Sequence, residues 1–117
     1  MRVVEIIADL AVDDIDGARA FWAEYMGLSH EEFNLGWVAR FTSPDTGQHV
    51  QVVTRDATAP EDATLSVKVD DVDAAYAEAQ QRGFEIVHPL TDEEWGVRRF
   101  FVRAPDGTVV NIVRHRE

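Results

Sequence analysis

VDDIDGARA (residues 12–20) and VDDVDAAYA (residues 69–77) are near copies of each other within one chain of 117 residues. Internal self-similarity of this kind decides a fold early, because each copy must build the same structural unit. Each copy opens with aspartates and continues with the i, i+3, i+4 spacing of an amphipathic helix. The apolar positions are Ile15, Ala18, Phe21, Trp22 and Tyr25 in the first copy and Val72, Ala75, Tyr76 and Ala79 in the second. Asp14 and Asp71 stand where a side-chain oxygen caps the first free N–H groups of a helix, and Asp16 and Asp73 add negative charge to the first turn. Gly27 and Gly83 come where each helix should stop. The aromatic stripe Phe21, Trp22 and Tyr25 is expected in the core.

Working outward, the segment before each helix alternates as a strand does. In IIADLAV (6–12), Ala8, Leu10 and Val12 fall on the helix side, and Ile7, Asp9 and Ala11 face away. In TLSVKVD (64–70), Leu65, Val67 and Val69 take the helix side, and Thr64, Ser66 and Lys68 face away. After each helix come β-rich stretches and a Pro-Asp turn: SPDTG (43–47) before HVQVV (49–53), and APDG (104–107) before TVVNIV (108–113). The order strand, helix, strands, turn, strand is therefore repeated. It predicts an α+β fold of two tandem βαβββ modules, module one about 1–57 and module two about 62–117. The partly polar faces turned from the helices are expected to enclose a pocket. RDATAPEDAT (55–64) is an exposed connection, and each half alone is small for a core of its own, so a single domain over 1–117 is expected.

Composition narrows the function. The net charge of -11 opposes a phosphate backbone, so no nucleic-acid partner is expected, while cationic small molecules are attracted. The absence of cysteine excludes disulfides, thiolate nucleophiles and Cys-zinc sites. No apolar run reaches the ~20 residues a membrane span needs. The start, MRVVEIIADLAVDD, turns acidic at once and lacks the pattern of a secretory signal, so no membrane partner and a cytoplasmic setting are expected.

Three stretches, VDDIDGARAFWAEYMGL (12–28), VDDVDAAYAEAQQRG (69–83) and WGVRRFFVRAPDGTVVNIV (95–113), resemble the vicinal oxygen chelate superfamily of glyoxalases, bleomycin-resistance proteins, fosfomycin-resistance enzymes and extradiol dioxygenases. The resemblance implies paired βαβββ modules in a curved mixed sheet with a cleft, commonly completed in a homodimer. It also implies that enzymes of this kind hold a divalent metal, using His or Gln on the first strand of a module and Glu on its last. The matching first-strand positions here are Ile7 and Thr64, equally spaced ahead of Asp14 and Asp71. The matching last-strand positions are Gln51 and Asn111. This set holds no histidine and no carboxylate, and divalent ions need several convergent donors, some of them anionic. The expectation is no metal and no cofactor, with Asn111 standing where a metal-binding glutamate would be.

A ligand site is expected instead. Phe33 and Trp37 follow the first helix, and Trp95 and Phe101 lie in the matching region of module two; flat aromatic groups stack on planar ligands. With Ile7, His49, Gln51, Thr64 and Asn111 they describe a mostly apolar ligand site with a few hydrogen-bonding groups. Asp9 or Glu5 would add affinity for a cation. Of Arg98 and Arg99 one faces away from the helices, and alternation does not say which; the same holds for Phe100 and Phe101. An inward arginine would favour a carboxylate or phenolate. Glu5 and His49 are the catalytic candidates, because Glu5, Asp9, His49 and Gln51 share the face turned from the helix. His30, His88 and His115 are expected to be exposed. Three functions stay open: a metal-independent small-molecule (drug or metabolite) binding protein of the bleomycin-resistance type, a lyase, isomerase or dioxygenase with a displaced metal or acid/base site, and a regulatory interaction module.

Overall fold

Both helices begin at the aspartates that the repeat singles out. The Gly17 N–H donates to Asp14 Oδ1 at 2.5 Å, and the Ala74 N–H donates to Asp71 Oδ1 at 3.0 Å. These bonds satisfy N–H groups that no helical carbonyl can reach. A computed structural model describes residues 1–115 of the chain. Module one comprises β1 (Val3–Ala11), α1 (Ile15–Arg19) continuing as a π-helical turn (Ala20–Tyr25), β2 (His30–Asn34), β3 (Val38–Thr42) and β4 (His49–Val53). Module two comprises β5 (Leu65–Val69), α2 (Val72–Gln81), β6 (Ile86–Asp92), β7 (Val97–Arg103) and β8 (Val109–His115). Each is a βαβββ unit, and the fold is mixed α+β as the repeat predicts. Gly27 and Gly83 adopt φ of 83° and 73°, the left-handed conformation that ends a helix and that glycine adopts without strain.

The strand order is the same in both modules. In the first it runs β1-β4-β3-β2, with β1 parallel to β4 and the other pairs antiparallel. In the second it runs β5-β8-β7-β6, with β5 parallel to β8. The chain separates into two compact units, Ile7–Thr58 and Met1–Ile6 together with Ala59 onward. The first residues therefore cluster with module two, where the Arg2 N–H donates to Asp70 Oδ1 (2.7 Å) and the Asp70 N–H donates to the Arg2 carbonyl (3.1 Å). Among the described residues no helix is long and apolar enough to cross a membrane.

Each module packs its helix over one face of its sheet. Ile15 and Ala18 meet Leu10, Ala39, Phe41 and Val52 in module one. Val72, Ala75 and Ala79 meet Val69, Phe100 and Ile112 in module two. The aromatic stripe does not follow expectation. Trp22 packs against the core, but Phe21 and Tyr25 lie 49% and 76% exposed. The cause is the π-helical turn: the Met26 N–H bonds to the Phe21 carbonyl, and the longer repeat per turn rotates the stripe off the core face.

Loss of either cap tests this reading of the helix starts. Asp14→Ala and Asp71→Ala should each cost about 1 kcal/mol. In urea denaturation the midpoint should fall while the slope stays that of the wild type.

Candidate functional site

With one face of each sheet under its helix, the other face carries the polar side chains. In module one a single row crosses four strands. Asp9 of β1 pairs with Gln51 of β4, Gln51 with Arg40 of β3, and Arg40 with Phe33 of β2. The side chains bond along the same row. Gln51 Nε2 donates to Asp9 Oδ1 at 2.6 Å. Arg40 Nε and Nη2 both donate to Gln51 Oε1, at 3.1 and 2.7 Å. The guanidinium carbon lies 5.1 Å from the centre of the Phe33 ring, a cation-π contact.

A bulge in β2 adds a second carboxylate. Glu31 pairs with Phe41 and Phe33 with Arg40, so Glu32 is an extra residue in the strand. Without the bulge, alternation would turn Phe33 to the helix side with Glu31. With it, Glu32 and Phe33 both meet Arg40. Glu32 Oε2 takes Arg40 Nη1 at 3.3 Å and Oε1 takes the Thr42 hydroxyl at 2.8 Å. Burial pushes the Glu32 carboxyl up, but Thr42, Arg40 and His49 together hold it below the ordinary glutamate range. His49 is paired with Thr42 in the β3/β4 register, which places it at this end of the row.

The matching row of module two is chemically different. Ser66 of β5 pairs with Asn111 of β8, Asn111 with Phe101 of β7, and Phe101 with His88 of β6. Asn111 Nδ2 donates to the Ser66 hydroxyl oxygen at 3.0 Å. Asn111 Oδ1 is buried and accepts no hydrogen bond among the described residues, which an amide oxygen at 8% residue exposure tolerates only at a cost. Asn111 is thus a strand amide held on one side and unsatisfied on the other.

The structure also answers which arginine faces away from the helices. Arg98 lies on the α2 side, where its guanidinium bonds Asp73 Oδ1 at 2.7 Å and Asp92 Oδ1 at 3.1 Å and lowers the Asp73 pKa. Arg99 and Phe101 take the opposite face, while Phe100 belongs to the core under α2. The Arg99 guanidinium lies over the rings of Trp95 (4.9 Å) and Phe101 (4.7 Å), and only 2% of the residue is exposed. Glu93 Oε1 lies 3.6 Å from Arg99 Nε and 3.2 Å from His88 Nε2. His88 is buried on a strand, contrary to the expectation of an exposed loop histidine, because β6 runs through it and its ring meets Phe101 edge to face. His30 is exposed on β2, and His115, expected in the charged tail, is the exposed last residue of β8.

The other expected site residues fall as follows. Ile7 is buried on the same side of β1 as Asp9. Trp37 precedes β3, and its carbonyl accepts the Thr54 N–H at 2.9 Å. Thr64 lies just before β5, exposed, with its N–H on the Val109 carbonyl. Glu5 and His49 belong to different compact units. Sequence reasoning passed over Arg40, Glu32, His88 and Glu93. Arg40 was legible, since it alternates with the apolar Ala39 and Phe41 within one short strand. Glu32 depends on the bulge, and His88 and Glu93 depend on contacts that spacing does not encode.

A family model for the glyoxalase/bleomycin resistance protein/dioxygenase superfamily matches residues 3–112. The chain belongs to this superfamily. Among curated proteins nothing matches it. Solved structures with the same fold include a superfamily member from Vibrio splendidus (15% identity over 97% of this chain and 99% of that one, TM-score 0.70). Streptomyces coelicolor methylmalonyl-CoA epimerase is another (18% identity, 99% and 100%, TM-score 0.68). A Legionella pneumophila protein titled as an NAD-dependent benzaldehyde dehydrogenase is a third (17% identity, 96% and 100%, TM-score 0.77). At such identities the likeness is one of fold, and a fold hosts many activities.

The superfamily implies a divalent metal, and the residues at its positions do not fit one. Ile7 has no donor atom and Thr64 lies outside the strand. The Gln51 oxygen already accepts two guanidinium N–H groups. The guanidinium thus occupies the oxygen that an ion would need. Asn111 contributes one neutral oxygen. Among the described residues no group of three His, Asp or Glu side chains is placed to hold an ion.

The Glu32 carboxyl gives this row a pH signature. A depressed folded pKa contributes stability above the unfolded pKa, and that stability is lost as pH falls through the folded value. Between about pH 6 and pH 3 the wild type should therefore lose stability more steeply than Glu32→Gln, as read from urea midpoints.

Proposed function

We propose that this protein binds a small organic molecule without a metal, as a binding protein of the bleomycin-resistance type. The observation that carries the reading is the Arg40 guanidinium on Gln51 Oε1, 2.7 Å from Nη2. It puts a fixed side-chain cation against the oxygen that the superfamily's enzymes would offer to a metal. The unsatisfied Asn111 oxygen supports the same reading from module two, because a ligand N–H or O–H would complete it. Phe33 and Trp95 supply flat apolar surface, so a planar ligand suits these faces. The net charge of -11 favours a ligand that also carries a cationic group, which the long-range field would gather.

A homodimer is the proposed assembly, supported by the exposed apolar side chains Phe21, Tyr25 and Met26. A cytoplasmic setting and a role in drug resistance are likewise proposals, resting on the lack of cysteine and on the superfamily. A second reading, a metal-free acid/base enzyme, is favoured by one observation: the buried His88–Glu93 pair, in which a carboxylate orients an imidazole as it does for a general base. His88 and Glu93 join Glu5 and His49 as its candidate residues.

Calorimetric titration with nickel, zinc, manganese and iron(II) tests the proposal. No saturable heat is expected, and metal analysis of untagged protein should find no stoichiometric ion. One tightly held divalent ion per chain would overturn it.

A further inference from the structure

Two arginines lie on the faces turned from the helices, and their surroundings differ. Arg99 packs against two aromatic rings beside Glu93 and is 2% exposed, so its guanidinium is closed to a ligand in this arrangement. The Arg40 side chain keeps 14% of its surface open. It is also held in place from three sides: Gln51 takes Nε and Nη2, Glu32 takes Nη1, and the Phe33 ring supports the plane.

A guanidinium carries five N–H donors in a rigid fork. The bonds to Gln51 and Glu32 use three of Arg40's. One N–H on each terminal nitrogen has no acceptor among the described residues. The group is charged, oriented before any ligand arrives, and short of two acceptors. Holding donors ready in this way removes the ordering cost that a mobile arginine would incur on binding.

We propose that Arg40 is the polar anchor of the ligand, its two remaining N–H groups donating to an acceptor oxygen: a carbonyl, carboxylate or phenolate. The proposal rests on the metal-independent reading above and names the ligand class of that site. Glu32 already offsets one unit of charge, so a neutral carbonyl oxygen is accepted as well as an anionic one. The acidity of the whole chain acts at longer range and is screened over about 8–10 Å in physiological salt, whereas Arg40 acts at contact. A planar molecule bearing an acceptor oxygen at one end satisfies Phe33 and Arg40 together.

The test uses three probes that share a ring and differ in the polar group: benzoate, benzamide and benzamidine. Each is titrated to millimolar concentration into the ¹⁵N-labelled full chain after EDTA treatment, following the arginine Nε–Hε signals. Benzoate and benzamide should move the Arg40 signal, benzoate more strongly, and benzamidine should leave it in place. Arg40→Lys, which keeps the charge and loses the fork, identifies the signal and should weaken benzoate binding by about tenfold or more. If that variant fails to fold, triple-resonance assignment of the wild type identifies the Arg40 signal and the titration stands. Preferential binding of benzamidine would overturn the proposal by making a carboxylate the anchor, and would leave metal-free binding intact. No response to any of the three would also overturn it. Benzoate binding that appears only when zinc or manganese is restored would instead sink the metal-independent reading itself.

Discussion

The parallel pairing of the first and last strand in each module governs the rest of the structure. β1 lies beside β4 and β5 beside β8 in the same direction. Parallel neighbours cannot be joined by a tight turn, so the chain must cross over between them. Here the crossover carries a helix and two further strands, and the helix folds back over one face of its own sheet. That face takes Leu10, Ala39, Phe41 and Val52 in one module and Val69, Phe100 and Ile112 in the other. The opposite face receives what alternation leaves: Asp9, Gln51 and Arg40 in one module, Ser66, Asn111 and Arg99 in the other. The polar rows are a consequence of the crossover and the two-residue period of a strand, acting together.

Within those rows the two modules meet the cost of polar burial in different ways. Module one links its polar groups to each other: a carboxylate holds an amide, the amide holds a guanidinium, and the guanidinium holds a second carboxylate. Module two seals its charge away. Arg99 is compensated by Glu93 and covered by Trp95 and Phe101, and His88 shares the same carboxylate. Buried ions are expensive unless paired, and Glu93 gives the Arg99 guanidinium its counter-charge. The repeat has thus kept one backbone plan while its two halves specialised, the first toward a presented charge and the second toward an internal one.

Membership of the superfamily follows from this backbone plan and says little about chemistry. Its members share paired modules, and what each does depends on the side chains of these rows. On the proposed reading, the ligand meets a guanidinium and not a metal. A metal exchanges ligands and polarises them strongly, whereas an arginine offers directional donors of fixed geometry. Under that proposal, selection would come from the shape and hydrogen-bonding pattern of the ligand, not from its ability to coordinate an ion.

Patterns confined to one element were legible in the sequence. The aspartate caps, the glycine stops, the βαβββ order and the helix-side placement of Leu10, Val12, Val67 and Val69 all follow from such patterns, and the structure reproduces them. Contacts across elements and irregular backbone emerged only in the folded chain. The π-helical turn moved Phe21 and Tyr25 out of the core, since a change in helical repeat leaves no mark on residue spacing. The β2 bulge turned Glu32 and Phe33 to the same face, and strict alternation had no means of showing it. The choice between Arg98 and Arg99, and the burial of His88 with Glu93, needed the register of β6, β7 and β8. Register is set by packing and turns over the whole sheet, and a one-residue shift reverses every side chain, so the site could be read only after the strands were placed.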